Sequence, residues 1–85
     1  MGITQILSAI SEPTRLGAMR IIRDGGEHCI CELMELPNAS QSGMSRHMGV
    51  LKAAGLAVDR HDAQWVRYRR NPGLPQAALE TWLRM

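Results

Sequence analysis

The sequence predicts a mainly α-helical domain with one small β-hairpin, with the elements in the order ααααββα. Apolar residues recur at helical spacing through most of the chain, and the period changes to two only between about Leu56 and Arg69. Phe is absent, so the core must be built from aliphatic residues and Met, which suits packed helices. At 85 residues we expect a single domain over residues 1–85, with a second copy covering apolar surface in a homodimer.

The first two helices are predicted from their apolar stripes and from the residues that start and stop them. Apolar positions within residues 3–10 repeat at helical spacing. Pro13 opens the second helix, and Ser11 is the expected N-cap. We expect this helix to stop at Gly25 and Gly26, because glycine adopts the left-handed conformation that closes helices.

The next two helices form a helix, short turn, helix pattern. A short helix is expected over residues 31–36, where Pro37 stops it. A longer one is expected over residues 41–54, with Met44, Met48 and Leu51 as its apolar seam and Gly55 as its closing residue.

The period of two after Gly55 predicts two strands around a polar tip at residues 61–64. Trp65 and Tyr68 are expected to point away from the arginines of the second strand or to anchor the hairpin. A final amphipathic helix follows within residues 74–83, and the expected dimer contacts on it are Leu79, Trp82 and Leu83.

The positive charge is concentrated in one segment. Residues 41–70 contain six basic and two acidic residues, a net charge of +4, whereas residues 1–40 carry −2. A basic hairpin after a helix-turn-helix is the winged helix-turn-helix arrangement, in which the second helix reads the major groove of DNA and the wing reaches the backbone. The side chains expected to contact DNA are Gln41, Ser42, Ser45, Arg46, His47, Arg60, Arg67 and Arg69.

Four segments together resemble the ArsR/SmtB family of bacterial metal- and metalloid-responsive repressors, and specifically its arsenic-responsive branch. They are PTRLGAMRII, EHCICEL, SGMSRHMGVLKAAGLAVDR and QWVRYR. The resemblance implies a homodimer joined by its first and last helices. It also implies binding to a palindromic double-stranded operator and release by a ligand.

Cys29 and Cys31 are expected to be reactive or ligating thiols, since so small a loop gains little from a structural disulfide in a reducing compartment. On a regular α-helix the two side chains would point about 200° apart. In extended backbone they share one side, so binding a common soft ion requires an irregular start to the third helix. That coupling would link ligand binding to the helix that supports DNA recognition.

The resemblance implies that As(III) or Sb(III) binds this pair together with a third Cys three residues further on. Met34 occupies that place here, and a neutral thioether is a poor substitute for a thiolate. His28, an external thiol such as glutathione, or a site of two thiolates alone could each complete the coordination.

Several alternatives remain open at this point. Thiols at a helix N-terminus also suit a redox or sulfur-species sensor. His28, Cys29 and Cys31 could bind Zn or Cd, although the last helix has no His or Asp to form a second site. An unregulated DNA binder and a winged-helix module that binds protein are further alternatives.

An enzyme finds little support, because the sequence offers no catalytic constellation and no phosphate-binding glycine loop. No apolar run approaches the roughly 20 residues that span a bilayer, and the first residues lack the features of a signal peptide. We therefore expect a cytoplasmic protein without a membrane partner.

Overall fold

The structure, a computed structural model, describes residues 2–84 and shows five α-helices and a three-stranded antiparallel sheet in them. The predicted mainly α-helical fold with a hairpin is confirmed, with one short strand more than expected. Among these residues, no helix is long and apolar enough to cross a membrane. The helices are α1 (Ile3–Ile10), α2 (Pro13–Ile22), α3 (Ile30–Leu33), α4 (Gln41–Ala53) and α5 (Gln76–Leu83); the strands are β1 (His28–Cys29), β2 (Ala57–Asp62) and β3 (Trp65–Arg70).

The N-cap of α2 is Glu12, so the prediction of Ser11 was wrong. Pro13 occupies the first helical position, which leaves the preceding residue as the cap. The carboxylate of Glu12 accepts a hydrogen bond from the backbone N–H of Arg15 at 2.9 Å. Ser11 instead closes α1, where its hydroxyl donates to the carbonyl of Ser8 at 2.7 Å.

Helix α3 is shorter than predicted and starts one residue earlier. Cys29 is its N-cap, with the extended dihedrals φ −75° and ψ 158°. The helix ends at Leu33 rather than near Leu36, because Pro37 disfavours helical backbone in the residue before it. Leu33 is fully buried, and α3 packs against α4.

Helix α4 agrees with the sequence expectation at both ends. The hydroxyl of Ser40 caps it by accepting from the backbone N–H of Gly43 at 3.1 Å. Its predicted apolar seam is fully buried, and Gly55 closes the helix with φ +77°. The seam consists of Met44, Met48 and Leu51.

The sheet has the strand order β1-β3-β2, so the central strand belongs to the wing. Cys29 and Arg60 both lie opposite Arg67 in the register, and these three residues therefore share one face. The inner face, with the buried Tyr68, packs on α4. We call the opposite face the outer face; it carries Cys29, Val58, Arg60, Trp65, Arg67 and Arg69.

Two of the three residues of α5 that were expected at a dimer interface are buried within the chain's own core. Leu79 and Leu83 are only 1% and 2% exposed and belong to the core, so the prediction that they form an interface was wrong. An amphipathic helix on a small domain must first cover the core of its own chain. Trp82 alone is half-buried, and it lines a shallow groove of about 320 Å³ with Leu7, Ile10, Ser11 and Leu16.

Candidate DNA-binding surface and the cysteine pair

Helix α4 presents a polar surface opposite its buried seam. Gln41, Ser42, Ser45 and Arg46 are all exposed, and they occupy neighbouring positions around the first turns of the helix. These side chains offer donors and acceptors of the kind that reads base edges and phosphates. The structure thus brings four of the predicted DNA-contacting residues onto one surface.

His47 does not belong to that surface. Its ring is partly buried, and Nδ1 lies 3.2 Å from Nη1 of Arg15 and 3.7 Å from a carboxylate oxygen of Glu12. A guanidinium only donates, so this contact needs an unprotonated Nδ1 as the acceptor. The prediction of a DNA-facing His47 is corrected. His47 follows Arg46 by one position, and this step around the helix directs its side chain towards α2, where it connects α4 to Arg15.

The wing arginines lie on the outer face, as their spacing of two predicts, but they are not all free. Arg60 forms a bidentate pair with Glu27, with both N···O distances 2.7 Å. The hydrogen bond from Arg60 lowers the pKa of Glu27 below its usual value. Arg67 reaches Asp62 at 3.3 Å, while Arg69 is exposed. Together the arginines border an open cleft of about 640 Å³.

The two aromatic residues of β3 lie on opposite faces. Tyr68 anchors the hairpin on the inner face, where burial raises the pKa of its hydroxyl and Ser45 lies nearby. Trp65 lies on the outer face with Arg67 and is 51% exposed. The expectation that both aromatics would point away from the arginines or anchor the hairpin therefore holds for Tyr68 alone, because Trp65 is two residues from Arg67.

Cys29 and Cys31 are joined by a disulfide, contrary to the expectation of free thiols. The extended backbone at Cys29 followed by the first turn of α3 brings the two Cα atoms to 5.2 Å, within the range that a disulfide spans. The irregular helix start that two converging sulfurs require is present. Cys29 is half-buried and Cys31 exposed, so the pair is open to reagents.

The cysteine pair adjoins the wing as well as α3. A small cavity of about 200 Å³ is lined by Cys29, Cys31, Trp65 and Arg67. This juxtaposition depends on the pairing of β1 with β3, and a two-residue strand gives no periodic signal in a sequence. The contact of the cysteines with α3 could therefore be expected from the sequence, but their contact with the wing could not.

His28 is engaged away from the cysteines. Adjacent residues of a strand point to opposite faces, and the ring of His28 bridges Asp24 at 2.9 Å and Glu32 at 2.7 Å. Hydrogen bonds to Asp24 and then to Glu32 raise the pKa of His28. The imidazolium, which donates through both nitrogens, has no lone pair for a metal. His28 is thus not placed as a third ligand.

Within residues 2–84, no other third ligand accompanies the cysteine pair. Met34, which stands where a third Cys was expected, is partly buried and packs against the core. Among residues 2–84, no group of three or more His, Cys, Asp and Glu side chains is arranged to hold a metal ion. The site that the chain itself supplies consists of two sulfurs.

Residues 12–58 match the family described as bacterial regulatory protein, arsR family. The arsenic resistance transcriptional regulator ArsR2 of Pseudomonas putida is 44% identical over 82% of this chain and 61% of its own length. The arsenical resistance operon repressor of Escherichia coli is 37% identical over 89% of this chain and 65% of its own length. The chain thus spans about three fifths of the length of these relatives.

Solved structures agree with the fold. Reduced HlyU from Vibrio cholerae superposes with a TM-score of 0.79 at 30% identity, over 95% of this chain and 84% of that one. A structure described as a possible transcriptional regulator for arsenical resistance gives a TM-score of 0.72 at 32% identity, over 92% and 75% of the two chains.

Proposed function

The chain belongs to the arsR family of bacterial regulatory proteins, and from this premise we propose that it is a metalloid-responsive transcriptional repressor. It binds operator DNA as a homodimer in the cytoplasm. Binding of As(III) or Sb(III) to the thiolates of Cys29 and Cys31 releases it. The single observation that carries this proposal is the position of the cysteine pair, between the N-terminus of α3 and the central strand of the wing. The family regulates transcription, as expected for a chain without a catalytic constellation.

DNA binding is supported by two surfaces, the exposed polar side of α4 and the arginine-bearing wing. The exposed polar side of α4 enters the major groove, where Arg46 contacts bases or phosphates. The wing carries Arg60, Arg67 and Arg69, which neutralise backbone phosphates. The groove beside Trp82 joins α1 to the last helix and is the surface we assign to the second protomer.

Release follows from the two connections of the cysteine pair. Cys29 caps α3, which packs on α4, so a change in the backbone at Cys29 moves the support of the recognition helix. Cys29 also pairs with Arg67 in the sheet, so the same change alters the wing. A ligand shifts the DNA-bound and released states only by its difference in affinity for them.

The dithiol form of the pair is the one that binds arsenic. Arsenous acid, As(OH)₃, exchanges two hydroxyl groups for the two sulfurs, and the two thiol protons leave with these hydroxyls as two molecules of water. No electron is transferred in this exchange. The disulfide must therefore be reduced before the metalloid can bind, and a reductant is part of the experiment.

The proposal is tested by fluorescence anisotropy of the reduced protein on labelled DNA from its own promoter. Arsenite or antimonite should lower the anisotropy, and Cys29→Ser or Cys31→Ser should bind DNA but no longer respond. The matched control is Ser8→Cys, a Ser/Cys exchange at an exposed position of α1 that is not a predicted DNA contact, in a chain that keeps Cys29 and Cys31. A wild-type complex that resists both metalloids contradicts the proposal, and failure to bind DNA would favour a protein-interaction module.

A thiol-redox repressor is the second candidate function, favoured by the bonded state of Cys29 and Cys31. Hydrogen peroxide would take two electrons and the two thiol protons from the dithiol, which becomes the disulfide, and would leave as two molecules of water. One of the similar solved structures is described as reduced HlyU. Release by peroxide but not by arsenite in the same assay selects this candidate, and release by Zn or Cd alone selects a divalent-metal sensor.

A further inference from the structure

The third bond of a trivalent arsenic atom at the cysteine pair has no partner among the side chains that the structure describes. Two bonds go to Cys29 and Cys31. His28 is held by two carboxylates on the other side of the strand, and Met34 is packed against the core. The third substituent must then be one that the ligand brings with it.

An open pocket beside the two sulfurs has room for an organic group. The cavity there has a volume of about 200 Å³ and is bordered by the indole of Trp65 and by Arg67. A cavity of roughly 150 Å³ with apolar walls is large enough to hold benzene. The side chain of Arg67 adds three methylene groups below its guanidinium, which reaches towards Asp62.

Trp65 is a large aromatic residue that remains half exposed, and its packing is not needed to hold the hairpin in place. Tyr68 already anchors the hairpin from the inner face, whereas Trp65 leaves 51% of its surface in water on the outer face. A large aromatic side chain that lies open beside a reactive pair is a platform on which a flat apolar group can stack. Burying that platform supplies free energy to a ligand that carries such a group.

We propose that Trp65 and Arg67 form a subsite for the organic substituent of a monosubstituted trivalent arsenical, R–As(OH)₂, and that an aryl substituent is preferred. The inference rests on the proposed function only in taking Cys29 and Cys31 as the arsenic-binding thiols. The two hydroxyls of R–As(OH)₂ leave as water with the two thiol protons. The As–C bond stays intact and fills the third position.

The subsite places the ligand in direct contact with the wing. Trp65 and Arg67 both belong to β3, the central strand of the sheet. A substituent that lies between them contacts Arg67, which we assign to phosphate binding. An organic arsenical therefore acts on the wing through its substituent as well as on α3 through Cys29.

The test measures binding to the reduced full chain without DNA, by competition against dithiothreitol. Phenylarsonous acid, methylarsonous acid and arsenite are each distributed between the protein and the small dithiol. Dithiothreitol forms the same two As–S bonds but has no subsite, so the exchange constant reports the surroundings of the cysteines alone. The phenyl compound should favour the protein over dithiothreitol about tenfold more than arsenite does, as expected for one aromatic contact.

Variants at position 65 assign that preference to the subsite. Trp65→Ala should remove most of the tenfold difference, and Trp65→Phe should keep a substantial part of it. His61→Ala, which shortens an exposed side chain on the inner face of the wing, is the matched control and should keep the full difference. Equal exchange constants for phenyl and arsenite, or a preference that Trp65→Ala leaves intact, would overturn the subsite.

The outcome is separable from that of the proposed function. A phenyl preference together with DNA that no arsenical releases would support the subsite and contradict the repressor. Release of DNA by arsenite without any phenyl preference would support the repressor and contradict the subsite.

Discussion

His28 shows at the scale of one residue how a side chain beside the cysteines is withdrawn from ligand binding. Asp24 and Glu32 hold its ring from the preceding loop and from α3. We call this arrangement of Asp24, His28 and Glu32 the clamp. The three residues are spaced four apart, so the sequence contained a signal for the clamp, yet the same His28 could equally be interpreted as a metal ligand. Spacing alone could not decide between these roles, because which face a two-residue strand presents depends on its partner strand.

The clamp predicts a pH dependence of stability. The folded-state pKa of His28 lies above its ordinary value, so the stabilisation is fully present below about pH 6.5 and is lost as pH rises through the folded pKa. Urea unfolding of the disulfide form should therefore show wild type losing stability between pH 6 and pH 8.5. His28→Gln should lose less over that interval.

The partner carboxylates act at the acid end of the pH range. The hydrogen bond to His28 lowers the pKa of both Asp24 and Glu32. Their contribution to the free energy of unfolding is therefore present above their unfolded-state pKa and is lost as pH falls through their folded-state pKa. His61→Gln, at an exposed imidazole on the wing, serves as the control. An identical pH profile for wild type and His28→Gln would contradict the clamp.

At the scale of elements, the N-cap of α4 is a local feature with a measurable effect. Ser40→Ala removes the acceptor for the backbone N–H of Gly43 and should lower the free energy of unfolding by about 1 kcal/mol. Chemical denaturation measures this change. Ser42→Ala, in the exposed first turn of the same helix, should change stability by less than about 0.5 kcal/mol; equal effects of the two variants would show that the cap does not stabilise α4.

The ion pair between Arg60 of β2 and Glu27, in the loop between α2 and β1, predicts a gain of DNA affinity when it is removed. Glu27 holds Arg60 through two hydrogen bonds, so Glu27→Gln should free the guanidinium for phosphate. Anisotropy should then give tighter DNA binding, with a salt dependence steeper by about one phosphate contact. Glu35→Gln makes the same charge change at an exposed site and is the control. If the two variants gain equally, net charge alone explains the effect and Arg60 is not a DNA contact.

Most elements could be predicted from the sequence because each has a strong local signal. The seam of α4 and the glycines at positions 25 and 55, both with positive φ, follow from spacing and backbone sterics. The existence of β1, and with it the start of α3 at Ile30, could not be predicted in this way. Strand β1 depends on its pairing with β3, which lies about 40 residues further along the chain, and tertiary pairing overrides local pattern there.

For the whole molecule, the balance between core and interface was the least predictable feature. Two apolar residues of α5 are used by the protomer's own core, which leaves Trp82 with Leu7 and Leu16 on the open groove. A sequence shows that a helix has an apolar stripe, but it does not show how much of that stripe is buried in the core of its own domain. The exposure of the polar residues at the start of α4 was predictable for the same reason in reverse, since exposed polar side chains at a helix start need no partner.

The groove beside Trp82, which we assign to a second copy of the chain, yields a prediction at this scale. Trp82→Glu puts a charge on the groove and should convert a dimer to a monomer in light scattering, with circular dichroism verifying the fold. DNA affinity should fall by at least about tenfold, because a monomer holds only one half-site. Val50→Glu, at an apolar position that is 39% exposed on α4, is the control for oligomeric state. A dimeric Trp82→Glu protein would move the interface elsewhere.

The most direct test of the central claim is the affinity of the reduced protein for arsenite, measured with and without saturating operator DNA. Coupling between two sites is reciprocal, so DNA should weaken arsenite binding by the same factor by which arsenite weakens DNA binding. We predict a factor of at least about ten, within the usual range for such coupling. Equal arsenite affinities for the free and the DNA-bound protein would contradict the account, because the cysteine pair would then bind a ligand without regulating DNA.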